Sequence, residues 1–340
     1  MRAVQITEFG GPEVLRVAEA PVPEPGDGEI VVRVAASGVN LADVRMRSGQ
    51  YPVPPPLPFV PGFEVTGHVE SVGPGSAALV RDERLLQRGT AVVAAHAFSA
   101  YAEYAIVPAD MVLPLPEGLD LTTAAALPVA YGVAWMALHH RGELRPHETV
   151  LVHAAGSGVG LAAVHLASAA GATVIALAST QEKLDLATAA GASTALQYVP
   201  DYPTDDLRVA LGAGDGVDLL IDSVGGPVLG AGLSTLRDGG RAVCFGQAAG
   251  VPLDLDLYQA VIPRQIDVRG LARGVLVDSR DPRDRGVVTD AVAHVLDLWV
   301  SGQLADPVVH RLPLADAAQA HRSMVDRSHV GKFILVPEHG

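Results

Sequence analysis

Val150 to Gly160 reads VLVHAAGSGVG. An apolar strand pattern runs straight into small residues, and an Ala-rich helical pattern begins at once. Small residues at that point let backbone N–H groups at a helix N-terminus approach a pyrophosphate. The residues placed to do so are Ala155, Gly156, Ser157, Gly158, Val159 and Gly160. In strict register the motif is imperfect. Gly156 and Gly158 are followed by Leu161 where the third glycine of G-x-G-x-x-G belongs; one residue earlier the positions are Ala155, Ser157 and Gly160. The pattern alone is weak, and a tight βα turn without a ligand is the alternative. The strand–turn–helix context and the βα unit that follows make it a dinucleotide signal. An NAD site usually places Asp or Glu about 20 residues on, at the end of the second strand. Here that strand ends Leu177-Ala178-Ser179-Thr180, with no carboxylate to repel a 2′-phosphate. Ser179, Lys183 and Tyr198 are the groups available to such a phosphate, and the pattern favours NADPH. The plain alternatives are a surface helix residue for Lys183 and a half-buried strand end for Tyr198.

Composition bounds the partners. The 340 residues carry 38 acidic and 24 basic side chains, a formal charge of −14. Nucleic acid and anionic membranes need a basic face, so neither is expected as the main partner. The lone Cys244 excludes an internal disulfide and any Cys-rich zinc site. Only Lys183 and Lys332 are lysines. No membrane span is expected, and the first residues, MRAVQITEFGGPEVL, have acids and glycines where a signal peptide is apolar. A cytoplasmic protein is the expectation.

The elements that must position these groups fall into three regions. Residues 1–122 hold short alternating runs, EIVVRV at 29–34 and YAEYAIV at 101–107, punctuated by Pro- and Gly-rich stretches such as YPVPPPLPFVPG. They read as a β-rich domain. Residues 123–265 alternate apolar runs with helical stretches. Strands are expected at 149–153, 173–178, 194–198, 217–222 and 241–245, with helices at 158–170 and 181–190. That alternation predicts a doubly wound parallel sheet. Residues 266–340 return to mixed character, with helices near 287–301 and 315–327 and a final strand, KFILV, at 332–336. The cofactor domain is thus expected as an insertion into the β-rich one. The charged segment 273–286 reads as a solvated loop.

Motifs along nearly the whole chain carry a family resemblance. They include AASGVNLADVRMRSGQYP at 35–52, PFVPGFEVTGHV at 58–69, HAAGSGVG at 153–160, GVDLLIDSVGG at 216–226 and HVGKFILVP at 329–337. With these the chain resembles the zinc-independent medium-chain dehydrogenases/reductases, in their quinone oxidoreductase (zeta-crystallin-like) branch. The resemblance implies a GroES-like β domain, a Rossmann domain and a homodimer formed through the cofactor domain. Zinc-dependent relatives carry Gly-His-Glu where this chain has Gly62-Phe63-Glu64, and no metal is expected. His68 reads as a strand residue.

The resemblance also assigns residues. Asn40 is implied near the nicotinamide ribose and substrate, with a helix-capping turn as its alternative. Tyr51 is a donor for a substrate oxygen, or a rim aromatic. Phe245, Gly246 and Gln247 match the segment beside the nicotinamide. Lys332 matches a C-terminal Gly-Lys and is divided between a cofactor-side and a structural role. Two positions depart from the family pattern: Arg45 stands where relatives often carry Tyr, and Val133 where they usually carry Thr. Cys244 reads as packing and Asp222 as a turn residue. Without a metal to polarise a carbonyl, the easier hydride acceptor is a quinone or an α,β-unsaturated carbonyl. An enoyl reductase of thioester-bound acyl chains and a non-catalytic NADPH-binding protein are the other readings.

Overall fold

A computed structural model describes residues 1–198 and 216–338. The chain divides into two compact units. One comprises Met1–Gly132, Val277–Val300 and Asp306–Gly340; the other comprises Val133–Leu276 and Ser301–Ala305.

The first unit is built on a seven-stranded sheet. Its order is Val309–Pro313, Lys332–Val336, Glu29–Gly38, Val65–Val72, Ala91–Ala94 and Val112–Pro114, with Tyr104–Pro108 also paired to Glu29–Gly38. The strand Glu29–Gly38 is the hub, and Ile30, Val32 and Val34 on it are fully buried. Two register shifts interrupt its pairing with Val65–Val72. Such bulges re-aim the residues beyond them. Asn40 then caps the helix Leu41–Arg47, and Asp43 at its third position accepts from the Asn40 N–H at 2.8 Å. This reciprocal capping box explains why the chain turns from strand to helix there.

The second unit is a six-stranded parallel sheet ordered Thr194–Gln197, Thr173–Ala178, Thr149–Val152, Val217–Asp222, Leu236–Cys244 and Asp267–Gly270. In sequence order this is 3-2-1-4-5-6, the doubly wound Rossmann arrangement expected. The helices Gly158–Ala169, Gln181–Ala189 and Gly226–Thr235 link successive strands. Val150, Leu151, Leu219 and Leu220 are fully buried, as continuous apolar runs in a parallel sheet should be.

Two expectations need correction. The sheet's sixth strand, Asp-Val-Arg-Gly, is a short edge strand whose charged residues hide its pattern. The segment 273–286 lies at the surface, as expected, but it is not all loop. Arg273–Val277 is helical, Val277 is buried, and the long helix starts at Pro282. Arg285 makes a two-pronged pair with Asp110, so the charges there have partners. Finally, Leu121–Arg141 is long and apolar enough to cross a membrane by length and composition, but 78% of its apolar window is buried within the molecule. It is a core helix. Two π-helical segments, Leu127–Tyr131 and Met136–Arg141, interrupt it.

Within the second unit, the Arg241 guanidinium bonds both oxygens of Glu148, at 3.0 and 2.6 Å, and the Gly142 carbonyl at 2.6 Å. Both side chains are almost fully buried. Removing one partner of such a pair leaves a buried charge without compensation. Glu148→Ala is expected to lower stability by about 3 kcal/mol, read as an earlier urea midpoint.

Candidate functional site

In the first unit, strand register gathers the polar residues. Ile334 pairs with Gly38 in antiparallel sense, so continuing the ladder two residues brings Lys332 opposite Asn40. The Val39 N–H bonds the Phe333 carbonyl at 3.0 Å, which extends the pairing. Ser37 pairs with Val65, which brings Glu64 opposite Gly38. Three residues far apart in sequence therefore meet. The Lys332 ammonium donates to Glu64 Oε1 at 2.6 Å and to Asn40 Oδ1. Asn40 Nδ2 donates to Glu64 Oε1 at 2.8 Å, and the Val129 N–H to Glu64 Oε2 at 2.7 Å. The Glu64 side chain is fully buried and that of Lys332 is 7% exposed. Gly38 permits this approach: a Cβ there would lie 2.2 Å from Glu64 Oε1 and 2.9 Å from the Ala125 carbonyl.

Asp43 extends the cluster. It accepts from the N–H groups of Asn40 and Gly62, at 2.8 and 3.0 Å. Burial pushes its carboxyl up to about 7 despite those bonds and the nearby Lys332 charge. Gly62 adopts a positive φ of 110°, and a Cβ there would meet the Ala100 and Tyr101 side chains. Tyr51 lies beside this group, its ring 6.2 Å from that of Phe63, and Phe63 in turn is 6.0 Å from His96. Arg45 bonds the backbone N–H of Gln50 and Tyr51 through its own carbonyl. His68 is a strand residue, as read, opposite Arg33.

In the second unit, a parallel sheet puts all strand C-termini along one edge. The small-residue turn leaves Thr149–Val152 through Ala154, whose φ is +51°. Ser157 caps the helix Gly158–Ala169, its hydroxyl accepting from the Gly160 N–H at 3.1 Å. A Cβ on Gly160 would lie 2.2 Å from the Ala154 carbonyl. The turn is thus too tight for a side chain there. A Cβ on Gly156 would lie 2.5 Å from the Cβ and Cγ of Lys183, so the lysine stem lies over the turn. Lys183 Nζ reaches Ser179 Oγ at 3.4 Å, and Gln197 Nε2 donates to the Ser179 carbonyl at 3.1 Å. The Tyr198 N–H bonds the Ala178 carbonyl at 2.8 Å. Gly156, Ser179, Lys183 and Tyr198 therefore occupy one neighbourhood, with no carboxylate on the strand end.

On the same edge, the Phe245 N–H bonds the Asp222 carbonyl at 3.0 Å. Gly246 passes close to the Ser223 carbonyl, and Gln247 Nε2 donates to the Val251 carbonyl at 2.9 Å. Asp222 accepts from the Gly225 N–H at 2.9 Å, the turn role read for it, and also bonds His153 Nδ1 at 2.7 Å. Both side chains of that pair are buried. Cys244 is half-buried, and burial followed by the Asp222 charge pushes its thiol up to about 12. It packs against the apolar core of the second unit. Val133 is buried in the apolar core helix.

Sequence reasoning missed the Glu64–Lys332 pair, the burial of Asp43 that raises its carboxyl and the His153–Asp222 contact. One signal was available: a lysine inside the apolar run GKFILV needs a buried counter-charge.

Known proteins agree with this architecture. The chain matches the alcohol dehydrogenase GroES-like domain over residues 26–117 and the zinc-binding dehydrogenase family over residues 158–284. It is 33% identical over 340 residues to the quinone oxidoreductase of Mus musculus, covering 99% of this chain and 98% of that protein. It is 31% identical to the 2-haloacrylate reductase of a Burkholderia species, covering 99% of each. A mycobacterial protein whose structure was solved in complex with NADPH superposes with a TM-score of 0.89 at 35% identity, over 99% of this chain and 100% of that one. The chain belongs to the medium-chain dehydrogenase/reductase family, in its quinone oxidoreductase branch.

Asp43 sets a pH dependence. Its folded-state carboxyl titrates near 7 against an ordinary 3.8, so between those values the folded chain holds a proton that the unfolded chain has lost. Stability contributed by this group is therefore present at low pH and falls as pH rises through about 7. Asp43→Asn should flatten that fall, with urea midpoints at pH values on either side of neutrality as the measure. A wild-type fall that survives unchanged in the variant contradicts the assignment.

Proposed function

We propose that this chain is an NADPH-dependent reductase that passes hydride to a quinone or an α,β-unsaturated carbonyl without a metal. The observation that carries the cofactor choice is the lysine stem lying over the turn at Gly156, beside Ser179 and a strand end free of carboxylates. At Gly160 a Cβ would meet the Ala154 carbonyl, so the helix start packs close against the strand, as the last glycine of a dinucleotide turn allows. The mycobacterial and mouse relatives point the same way.

Residues 155–160 would hold the pyrophosphate, Ser179, Lys183 and Tyr198 the 2′-phosphate, and Phe245–Gln247 the carboxamide. NADPH, when bound, supplies the hydride. Asn40 and Tyr51 donate hydrogen bonds to the acceptor oxygen, where negative charge develops. The donor set supports the metal-free part of this reading. Phe63 cannot ligate, Lys332 brings a cation into the neighbourhood, and among the described residues no three His, Cys, Asp or Glu side chains gather to hold an ion.

The dimer belongs to the same reading. The edge strand Asp267–Gly270 exposes Val268, and Leu257, Tyr258 and Ile262 just before it are also exposed. An unpaired strand edge with apolar neighbours suits a two-fold pairing of like edges. Light scattering should return twice the chain mass, and Val268→Lys should return the single-chain mass.

The activity test uses menadione and methyl vinyl ketone with NADPH and with NADH. Consumption of NADPH by at least one acceptor is expected; turnover of neither contradicts the activity. Lys183→Ala should weaken NADPH by about tenfold, a charged contact of roughly 1.4 kcal/mol, and leave NADH binding unchanged. An equal loss for both cofactors contradicts the phosphate role.

A further inference from the structure

We propose that Lys332 is a positioning residue for Asn40: clamped by Glu64, its ammonium holds the Asn40 amide so that one N–H remains to donate to the acceptor oxygen. The proposal rests on the reductase reading above and assigns it a specific support.

The orientation of Asn40 follows from donor and acceptor chemistry. An ammonium only donates, so the amide atom facing Lys332 must be oxygen. A carboxylate only accepts, so the atom facing Glu64 must be nitrogen. A flipped amide would set NH2 against NH3⁺ and oxygen against carboxylate, two repulsive contacts. The backbone that carries the amide is fixed as well: the Asp43 N–H donates to the Asn40 carbonyl at 3.0 Å, and the Asn40 N–H donates to Asp43 Oδ2 at 2.8 Å. Asn40 Nδ2 carries two hydrogens, and one is committed to Glu64 Oε1. The second makes no bond to the protein among the described residues. An amide whose oxygen accepts from a cation is polarised, and its free N–H becomes a stronger donor. Such a donor, held before the reaction begins, is what a developing enolate or quinol oxygen requires.

Lys332 itself is poorly placed to serve a cofactor. Its nitrogen already bonds Glu64 and Asn40, and its side chain is 7% exposed. Gly38 belongs to the same device, since any side chain there would displace the Glu64 carboxylate.

Two variants test this in the full-length chain. K332M/E64Q removes both charges together, so no lone buried charge is left to unfold the protein. E64D keeps both charges but draws the carboxylate back from Asn40 by one methylene. In each, kcat with menadione is expected to fall by about tenfold to a hundredfold, the range for losing one pre-set donor. The dissociation constant for NADPH and the KM for menadione should stay near the wild-type values. Nitrogen-15 spectra of asparagine-labelled protein without cofactor give a second readout. The Asn40 side-chain amide, assigned by its disappearance in N40D, should be displaced and slow to exchange in wild type. In K332M/E64Q it should return to ordinary asparagine positions. A tenfold weaker NADPH complex with kcat retained would make Lys332 a cofactor contact and overturn the proposal. So would wild-type kcat in both variants. If the wild type reduces neither acceptor while the amide signature is present and lost on substitution, the reductase reading fails and the positioning of Asn40 stands.

Discussion

Burying a carboxylate and an ammonium is tolerable only where each finds the other and every remaining hydrogen-bonding atom is met. Glu64 and Lys332 find each other because three strands bring them together, and Asn40 bonds both. The ladder between Glu29–Gly38 and Lys332–Val336 sets Lys332 against Asn40, and the ladder to Val65–Val72 sets Glu64 against Gly38. The core helix contributes the Val129 N–H as the second partner of Glu64. Glycine at 38 leaves the space that the carboxylate fills. Loss of any of these would leave a charge stranded, so the pair couples the chain's C-terminal strand to its first hub strand.

The second unit obeys a different constraint, the approach of backbone to a ligand. Small residues from 155 to 160 keep the turn bare, and the parallel sheet lines the ends of its strands along one edge. His153 and Asp222 tie the start of that turn to the neighbouring strand end at 2.7 Å. One unit thus supplies a close-packed turn with a lysine stem lying over it. The other supplies a side-chain amide whose orientation is dictated by charge.

Much of this was legible in the residues. Apolar runs at 149–152, 173–178 and 217–222 announced a parallel sheet because both faces of such strands are buried. The alternation with Ala-rich helices gave the order of the elements, and the turn at 155–160 declared itself by three glycines in six residues at a strand-to-helix junction. The strand Asp267–Gly270 stayed hidden because an edge strand this short has too few buried positions to show a pattern. Residues 273–286 looked solvated because sequence shows charges but not their partners; Asp110, far along the chain, receives Arg285. For the same reason the role of Lys332 stayed divided between cofactor and structure. Its partners Asn40 and Glu64 lie roughly 290 and 270 positions away in sequence, and only strand register brings them to it.

We propose that this chain reduces its acceptor with its own donors and no metal. Elemental analysis of the purified protein, run beside NADPH-dependent reduction of menadione before and after treatment with a chelator, tests this. Zinc far below one equivalent per chain and undiminished turnover after chelation are expected. Stoichiometric zinc, with turnover lost on its removal and restored on its return, would contradict it.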